Sequence, residues 1–180
     1  MSLEHLRFST PDFAKLVVRT ILEEDIELLR TWKNAHRDRF FFKEIIAQEM
    51  QKEWFQSYLH REHDFMFVVI YDNERVGCLG FRRHEDRVDF YNVILDEGSA
   101  RKGYMSRALD LLCDEATLRY PEVPIMASVL RANPDLPWYF RRGFIVTSEH
   151  ETFLELTRNL HRGPDSATPV PGDLALGKRL

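Results

Sequence analysis

Apolar runs and helically spaced apolar stripes alternate along this chain, and together they predict its secondary structure. Runs rich in β-branched and aromatic residues indicate strands, whereas apolar residues three and four positions apart indicate helices. The predicted order is β-α-α-β-β-β-α-β-α-β-β. The strands cover residues 16–20, 65–71, 75–81, 88–95, 125–130, 144–147 and 152–156, and the helices cover 25–34, 47–61, 103–120 and 133–142.

Short polar turns join the three strands between residues 65 and 95, which predicts an antiparallel meander. Within the last of these strands, simple alternation divides the side chains between two faces of the sheet. One face carries Asp89, Tyr91, Val93 and Leu95, and the other carries Val88, Phe90, Asn92 and Ile94.

Two of the predicted helices carry an apolar stripe that should face the core. In the second helix the stripe is Ala47, Met50, Trp54 and Tyr58. In the third helix it is Met105, Ala108, Leu109, Leu112, Cys113 and Ala116. In the first helix we expect Asp25 to act as the N-cap.

Length and charge restrict the function. The 180 residues suit one domain, for which we expect an N-terminal extension at 1–15, a folded domain at 16–162 and a Pro/Gly-rich tail at 163–180. A net charge of −4 argues against nucleic-acid binding, and no apolar run is long enough to span a membrane. Cys78 and Cys113 form no metal-binding or disulfide pattern, so we expect a cytoplasmic protein without a metal.

The segment from Ala100 to Leu109 has the composition of an anion site. It joins a strand to a helix whose first turn leaves about four backbone N–H groups free and carries partial positive charge. Arg101 and Lys102 add formal charge, and Gly103 permits close approach of a ligand to the backbone. A pyrophosphate would fit such a loop, although an ordinary strand-to-helix turn would have the same pattern.

This loop resembles the acetyl-CoA loop of the GNAT acyltransferase superfamily, whose pattern is Arg/Gln-x-x-Gly-x-Gly/Ala. Gly103 matches, whereas Ala100 stands at the Arg/Gln position and Met105 at the second Gly/Ala position. The element order over residues 16–156 is also the GNAT order. The resemblance implies an α/β (α+β) fold with a mixed, mostly antiparallel sheet of six to seven strands, flanked by four helices.

The resemblance implies acetyl-CoA as cosubstrate, with the strand end offering backbone groups to the pantetheine arm. The residues expected to bind it are Val93, Ile94, Leu95, Ala100, Arg101, Lys102, Gly103, Tyr104, Met105, Ser106 and Asn133.

A second segment, 133–144, resembles the GNAT helix that ends in Tyr-x-x-x-Gly-Phe. Tyr139 and Gly143-Phe144 match in spacing, while Asn133 is one residue closer to the tyrosine than usual. In the family this tyrosine protonates the departing thiolate. The alternative is a core tyrosine whose hydroxyl is hydrogen-bonded internally.

In the N-terminal half, the segments Leu29-Arg30-Thr31-Trp32-Lys33-Asn34, Arg39-Phe40 and Glu53-Trp54-Phe55 follow one another. They resemble the GNAT branch that acetylates nucleotide-linked amino sugars and, less closely, acetylases of ribosomal-protein N-termini. In both, the loop between the first two helices walls the acceptor site. We therefore expect Trp32, Arg39, Phe40 and Tyr91 to contact the acceptor. Alternatively, Trp32 and one or two phenylalanines of residues 40–42 are core residues.

Several residues are candidates for the general base. Asp89 is the first candidate because the family often places its base in this strand, and Glu85, His84 and His36 are others. For each of them, a solvated charge or turn residue is the competing interpretation.

Three functions remain. The first is acetylation of a small amine such as a nucleotide-linked amino sugar, and the second is protein N-terminal acetylation. The third is a degenerate domain that binds CoA weakly or only binds partners, because Ala100 and Met105 depart from the loop pattern. A homodimer is possible by analogy with the fold.

Overall fold

The structure is a computed structural model that describes residues 4–159. The predicted tail at 163–180 and the end of the predicted domain at 160–162 lie outside the described residues. The strands are β1 Arg7–Ser9, β2 Leu16–Thr20, β3 Asp64–Tyr71, β4 Glu74–Arg83, β5 Val88–Leu95, β6 Ile125–Leu130, β7 Phe144–Glu149 and β8 Phe153–Arg158. The α-helices are α1 Ile26–Ala35, α2 Gln48–Tyr58, α3 Tyr104–Arg119 and α4 Leu136–Arg141.

The strands form one eight-stranded sheet in the order β1-β2-β3-β4-β5-β6-β8-β7. All neighbouring strands are antiparallel except β5 and β6, so the predicted fold class and the predicted meander of β3, β4 and β5 are confirmed. The sheet has one strand more than the predicted six to seven. The extra strand is β1, which lies within the predicted N-terminal extension and pairs Arg7 with Arg19. Its single inward side chain, Phe8, lies against Phe67, which explains why no run of apolar residues signals it.

Apolar clusters cover both faces of the sheet. On one face α3 buries the predicted stripe, which is confirmed from Met105 to Ala116. On the other face α1 and α2 pack together, and the predicted stripe of α2 is confirmed only in part, since Tyr58 is buried and Trp54 is half-buried against this cluster. Gln51, Phe55 and Tyr58 are the buried residues of α2, and Met50 is exposed. Residues 51, 55 and 58 are also spaced by four and three, so the sequence offers two overlapping stripes.

Two helix starts differ from the prediction. The Asp25 side chain does not cap α1; it accepts from the Leu22 backbone N–H and pairs with Arg19 and Arg75. Helix α4 begins at Leu136 instead of residue 133, because the Asn133 side chain closes a turn by accepting from the Asp135 backbone N–H at 2.9 Å.

A β-bulge in β5 changes which side chains share a face. Tyr91 pairs with Gly80 and Ile94 pairs with Cys78, so two residues of β5 lie opposite one residue of β4. Asn92 takes the left-handed conformation, with φ +49°. Phe90 packs with the α3 cluster, whereas Ile94 packs with the α1–α2 cluster. The predicted alternation along the whole strand is therefore wrong beyond Tyr91, since the extra residue shifts the period by one.

Strands β5 and β6 separate soon after they meet. Their parallel pairing is confined to Val88 with Ile125 and Asp89 with Met126. Beyond Asp89, the edge of β5 that faces away from β4 has no partner strand within residues 4–159, and an open wedge forms between β5 and β6. Within residues 4–159 no helix is long and apolar enough to cross a membrane.

Candidate active site

A cleft of about 590 Å³ opens beside the end of β5. Its walls come from β5, the loop before α3, the first turn of α3, the region of α4 and the turn after α1. The lining residues are His36, Arg39, Phe40, Val93, Ile94, Leu95, Asp96, Glu97, Ala100, Arg101, Gly103, Tyr104, Met105, Ser106, Asn133, Asp135, Trp138, Tyr139 and Arg141. Every residue expected to bind the cofactor lines this cleft except Lys102, which is exposed beside it.

The start of α3 supplies free backbone donors to the cleft. Gly103 is the N-cap, with φ +80°, a conformation that glycine adopts without strain. The N–H groups of Gly103, Tyr104, Met105 and Ser106 have no hydrogen-bond acceptor within residues 4–159. Four free donors at a helix N-terminus make a site for an anion such as a pyrophosphate.

The bulky side chains of this first turn face the core. Met105 is 5% exposed, and a Cβ atom added to Gly77 would lie 2.7 Å from its Cε. The Tyr104 ring stacks on Tyr71 with 4.3 Å between centroids. Met105 therefore does not fill the anion site, although it stands where the family pattern has glycine or alanine.

The open edge of β5 forms the opposite wall. Val93 and Leu95 turn their side chains toward the α3 cluster. Their backbone runs along the cleft, and no strand of the described part of the chain lies beside it on that side. Backbone groups on such an edge can form the hydrogen bonds that an added strand would form. An extended amide-bearing chain, such as a pantetheine arm, has the matching groups.

Tyr139 lies at the cleft with its ring buried. It contacts Phe144 and Trp138 edge to face, and the Trp138 indole N–H donates to the Ser106 hydroxyl at 3.0 Å. The Tyr139 hydroxyl has no hydrogen-bond partner within residues 4–159. Burial raises the pKa of Tyr139 well above its usual range, so the hydroxyl keeps its proton at neutral pH.

Of the expected acceptor residues, Arg39 and Phe40 line the cleft. The Arg39 guanidinium pairs with Asp135 at 2.9 Å. The other two lie elsewhere. Trp32 is 6% exposed in the α1–α2 core, where its indole N–H donates to Asp96 at 3.3 Å. Tyr91 donates its hydroxyl to the buried Asp64 carboxylate and lines no described cavity wall.

The base candidates fall at different places. Asp89 lies on β5 before β5 and β6 separate, and it does not line the cleft. Burial raises the pKa of Asp89. The negative charge of Asp89 in turn helps to raise the pKa of Tyr139. His36 is 5% exposed and does line the cleft. His84 and Glu85 lie in the turn before β5.

Sequence reasoning missed part of the cleft wall. Asp135, Trp138 and Arg141 lie on or next to α4 and surround Tyr139, and Asp96 and Glu97 follow β5. Their positions next to the 100–109 loop and within the 133–144 segment could have indicated that they line the cleft. Within the described residues no group of three His, Cys, Asp or Glu side chains could hold a metal ion.

Comparison with known proteins agrees with this geometry. An acetyltransferase (GNAT) domain model matches residues 15–135. No curated protein is similar enough to count as a match. Among solved structures, a domain from Methanocaldococcus jannaschii DSM 2661 is 20% identical with a TM-score of 0.71, covering 81% of this chain and 99% of that one.

Two further structures carry CoA. The ribosomal L7/L12 alpha-N-protein acetyltransferase RimL, in complex with CoA, is 19% identical with a TM-score of 0.68, covering 86% of this chain and 96% of that one. A spermidine N-acetyltransferase from Vibrio cholerae, in complex with CoA and spermine, is 17% identical with a TM-score of 0.63. The match covers 79% of this chain and 92% of that one. At these identities the similarities show a shared fold.

Proposed function

This chain belongs to the GNAT acetyltransferase family, and we propose that it transfers an acetyl group from acetyl-CoA to a small primary amine. The observation that carries the proposal is the pairing of two features in one cleft. Four free N–H groups at the start of α3 suit a pyrophosphate, and the unpaired edge of β5 suits a pantetheine arm.

The chemistry follows from positioning. A neutral amine attacks the thioester carbonyl, a C–N bond forms, and the C–S bond breaks with release of a thiolate. Holding the two reactants in line supplies most of the rate increase. The proposed role of Tyr139 is to donate its proton to the thiolate, because Tyr139 lines the cleft and its hydroxyl is protonated and forms no hydrogen bond within residues 4–159. The proton lost from the amine then restores it.

The amine must lose a proton before it attacks. We propose Asp89 as the base, acting through water, because burial raises its pKa toward that of a useful proton acceptor. His36 competes for the role because it lines the cleft directly. Separate Asp89→Asn and His36→Gln variants decide between them. Only the variant that lacks the base should shift the pH range over which the rate increases with pH.

The acceptor is proposed only as a small amine. A nucleotide-linked amino sugar is the first candidate, and Phe40 lines the cleft for it, but Trp32 is buried and Arg39 is paired with Asp135. A ribosomal-protein N-terminus is the second candidate, because RimL shares the fold. A degenerate domain is the weaker alternative, since Met105 does not obstruct the anion site.

Thermal unfolding with and without acetyl-CoA, together with thiol release, tests the proposal. At about 100 times its dissociation constant, a ligand of the native state adds about 2.7 kcal/mol, or roughly 5–11 °C in Tm for a domain of this size. A shift of that size accompanied by amine-dependent thiol release supports the enzyme. No shift at millimolar acetyl-CoA would overturn it.

A further inference from the structure

A second cavity, of about 240 Å³, lies between α1, α2 and the middle strands of the sheet. We call it the α1–α2 cavity; its apolar lining is Leu29, Phe42, Ile46, Met50, Trp54, Met66 and Ile94. At roughly 30 Å³ per water molecule it has room for about eight waters. That is less than whole ligands usually occupy, so it suits one apolar side group of a larger molecule.

The α1–α2 cavity adjoins the cleft beside the end of β5. Ile94 lines both, because the bulge at Asn92 turns its side chain toward α1 and α2 while its backbone stays at the cleft. Phe40 lines the cleft, and its ring lies 3.4 Å from the Lys33 ammonium, which belongs to the cavity wall. A substrate whose amine lies at the end of β5 can therefore place a side group in the cavity.

Among the residues that the structure describes, Lys33 is the one cation in the wall of this cavity. Its ammonium donates to the Asn92 side-chain oxygen and lies over the Phe40 ring. No carboxylate within residues 4–159 lies within 4.0 Å of it. The other polar groups of the wall, from Gln51, Cys78 and Asn92, carry no negative charge at neutral pH.

A partly buried cation without a counter-charge is costly for the free protein. Burial lowers the pKa of Lys33 to about 8, which reflects that cost. An anion placed beside the ammonium would recover the lost solvation by a charge-assisted hydrogen bond. A ligand could therefore place an apolar group in the cavity and an anionic group beside Lys33.

We propose that the acceptor is an apolar α-amino acid, with its side chain in the α1–α2 cavity and its carboxylate on Lys33. This rests on the proposed function. One carbon separates the amine from the carboxylate in such a molecule, so both can lie at the junction beside Ile94 while the side chain enters the cavity. A polyamine would bring a second cation toward Lys33, and an amino sugar has no apolar group to fill the cavity.

Three acceptors with one side chain isolate the carboxylate: L-leucine, L-leucinamide and 3-methylbutylamine. Thiol release from acetyl-CoA gives kcat/KM for each with the native chain and with Lys33→Met. We expect L-leucine to exceed the other two by about 10- to 100-fold in the native chain, the range of a hydrogen bond between charged groups. In Lys33→Met that preference should disappear, while acetyl-CoA affinity is retained.

Lys52→Met is the matched control, because Lys52 is exposed on α2 and lies outside both cavities. It should keep the preference for L-leucine. Equal or better use of the amide or of 3-methylbutylamine by the native chain would overturn the proposal. The proposal would also be overturned if the enzyme acetylated other amines but none of these three acceptors. In both cases acetyl-CoA binding and amine-dependent thiol release would leave the proposed function standing; absence of acetyl-CoA binding would instead remove that function itself.

Discussion

Arg39 and Asp135 form an ion pair at 2.9 Å that joins the turn after α1 to the start of α4 beside the cleft at the end of β5. A second contact supports the same connection, since the Phe41 ring meets Phe153 of β8 edge to face. Arg39 and Phe41 are 96 and 112 positions away from these partners in sequence. The two contacts thus hold the loop over one end of the cleft. The pair connects the expected acceptor side to the helix that carries Tyr139.

Breaking this pair should loosen the cleft more than it destabilises the fold. Both side chains are partly exposed, so the pair contributes about 1 kcal/mol or less to stability. Arg39→Met should therefore lower the free energy of unfolding only slightly, but speed acetyl-CoA dissociation by up to about fivefold. Stopped-flow displacement measures that rate. Arg131→Met is the control, because its pair with Glu149 lies away from the cleft lining; equal effects of both variants would contradict the connection.

Gly103 should tolerate only residues that accept its backbone conformation. Its φ is +80°, and nothing lies within 4 Å of an added Cβ, so conformation and not space restricts the position. Gly103→Pro fixes φ near −65° and removes one of the four free N–H groups, so acetyl-CoA binding should be abolished. Gly103→Asn should keep most of the affinity, since asparagine tolerates the left-handed region. Titration calorimetry on folded variants measures both, and unchanged affinity in Gly103→Pro would refute the loop assignment.

Tyr139→Phe separates chemistry from binding. Loss of a general acid typically costs 100-fold or more, so kcat should fall by about that factor while acetyl-CoA affinity changes little. Tyr120→Phe is a matched control, because that hydroxyl contacts His63 outside the cleft. Turnover by Tyr139→Phe equal to that of the native chain would remove Tyr139 from the mechanism.

Much of the frame could be predicted from sequence because it follows from periodicity and two motifs. The meander and the burial of Met105 on the inward stripe of α3 each had a local signal. Most of the residues expected to bind the cofactor line one cleft for the same reason, since the end of β5, the loop and the start of α3 are continuous in the chain.

The acceptor side could not be predicted in the same way, because it depends on long-range packing. The bulge at Asn92 inserts one residue in an apolar run, and an asparagine in a strand is a weak signal for it. Trp32 and Lys33 are neighbours in sequence, yet one lies in the core and the other on a cavity wall. The packing of α1 against α2 and β5 determines which of the two is buried and which lines the cavity.

Lys33 should make stability rise with pH. Its pKa is about 8 in the folded protein against 10.5 for an ordinary lysine, so between these values the unfolded chain binds more protons than the native state. Stability therefore increases from about pH 8 to pH 10.5, by on the order of 3 kcal/mol from this group alone.

The comparison with Lys33→Met isolates that contribution, because other titrating groups are common to both proteins. Urea unfolding at pH 7 and pH 10 should show the native chain gaining on the variant as pH rises, whereas Lys52→Met should keep a constant difference from the native chain. Parallel stability curves for the native chain and Lys33→Met would show that the Lys33 ammonium is well solvated. In that case the α1–α2 cavity would also lose the uncompensated charge that makes it attractive to a carboxylate.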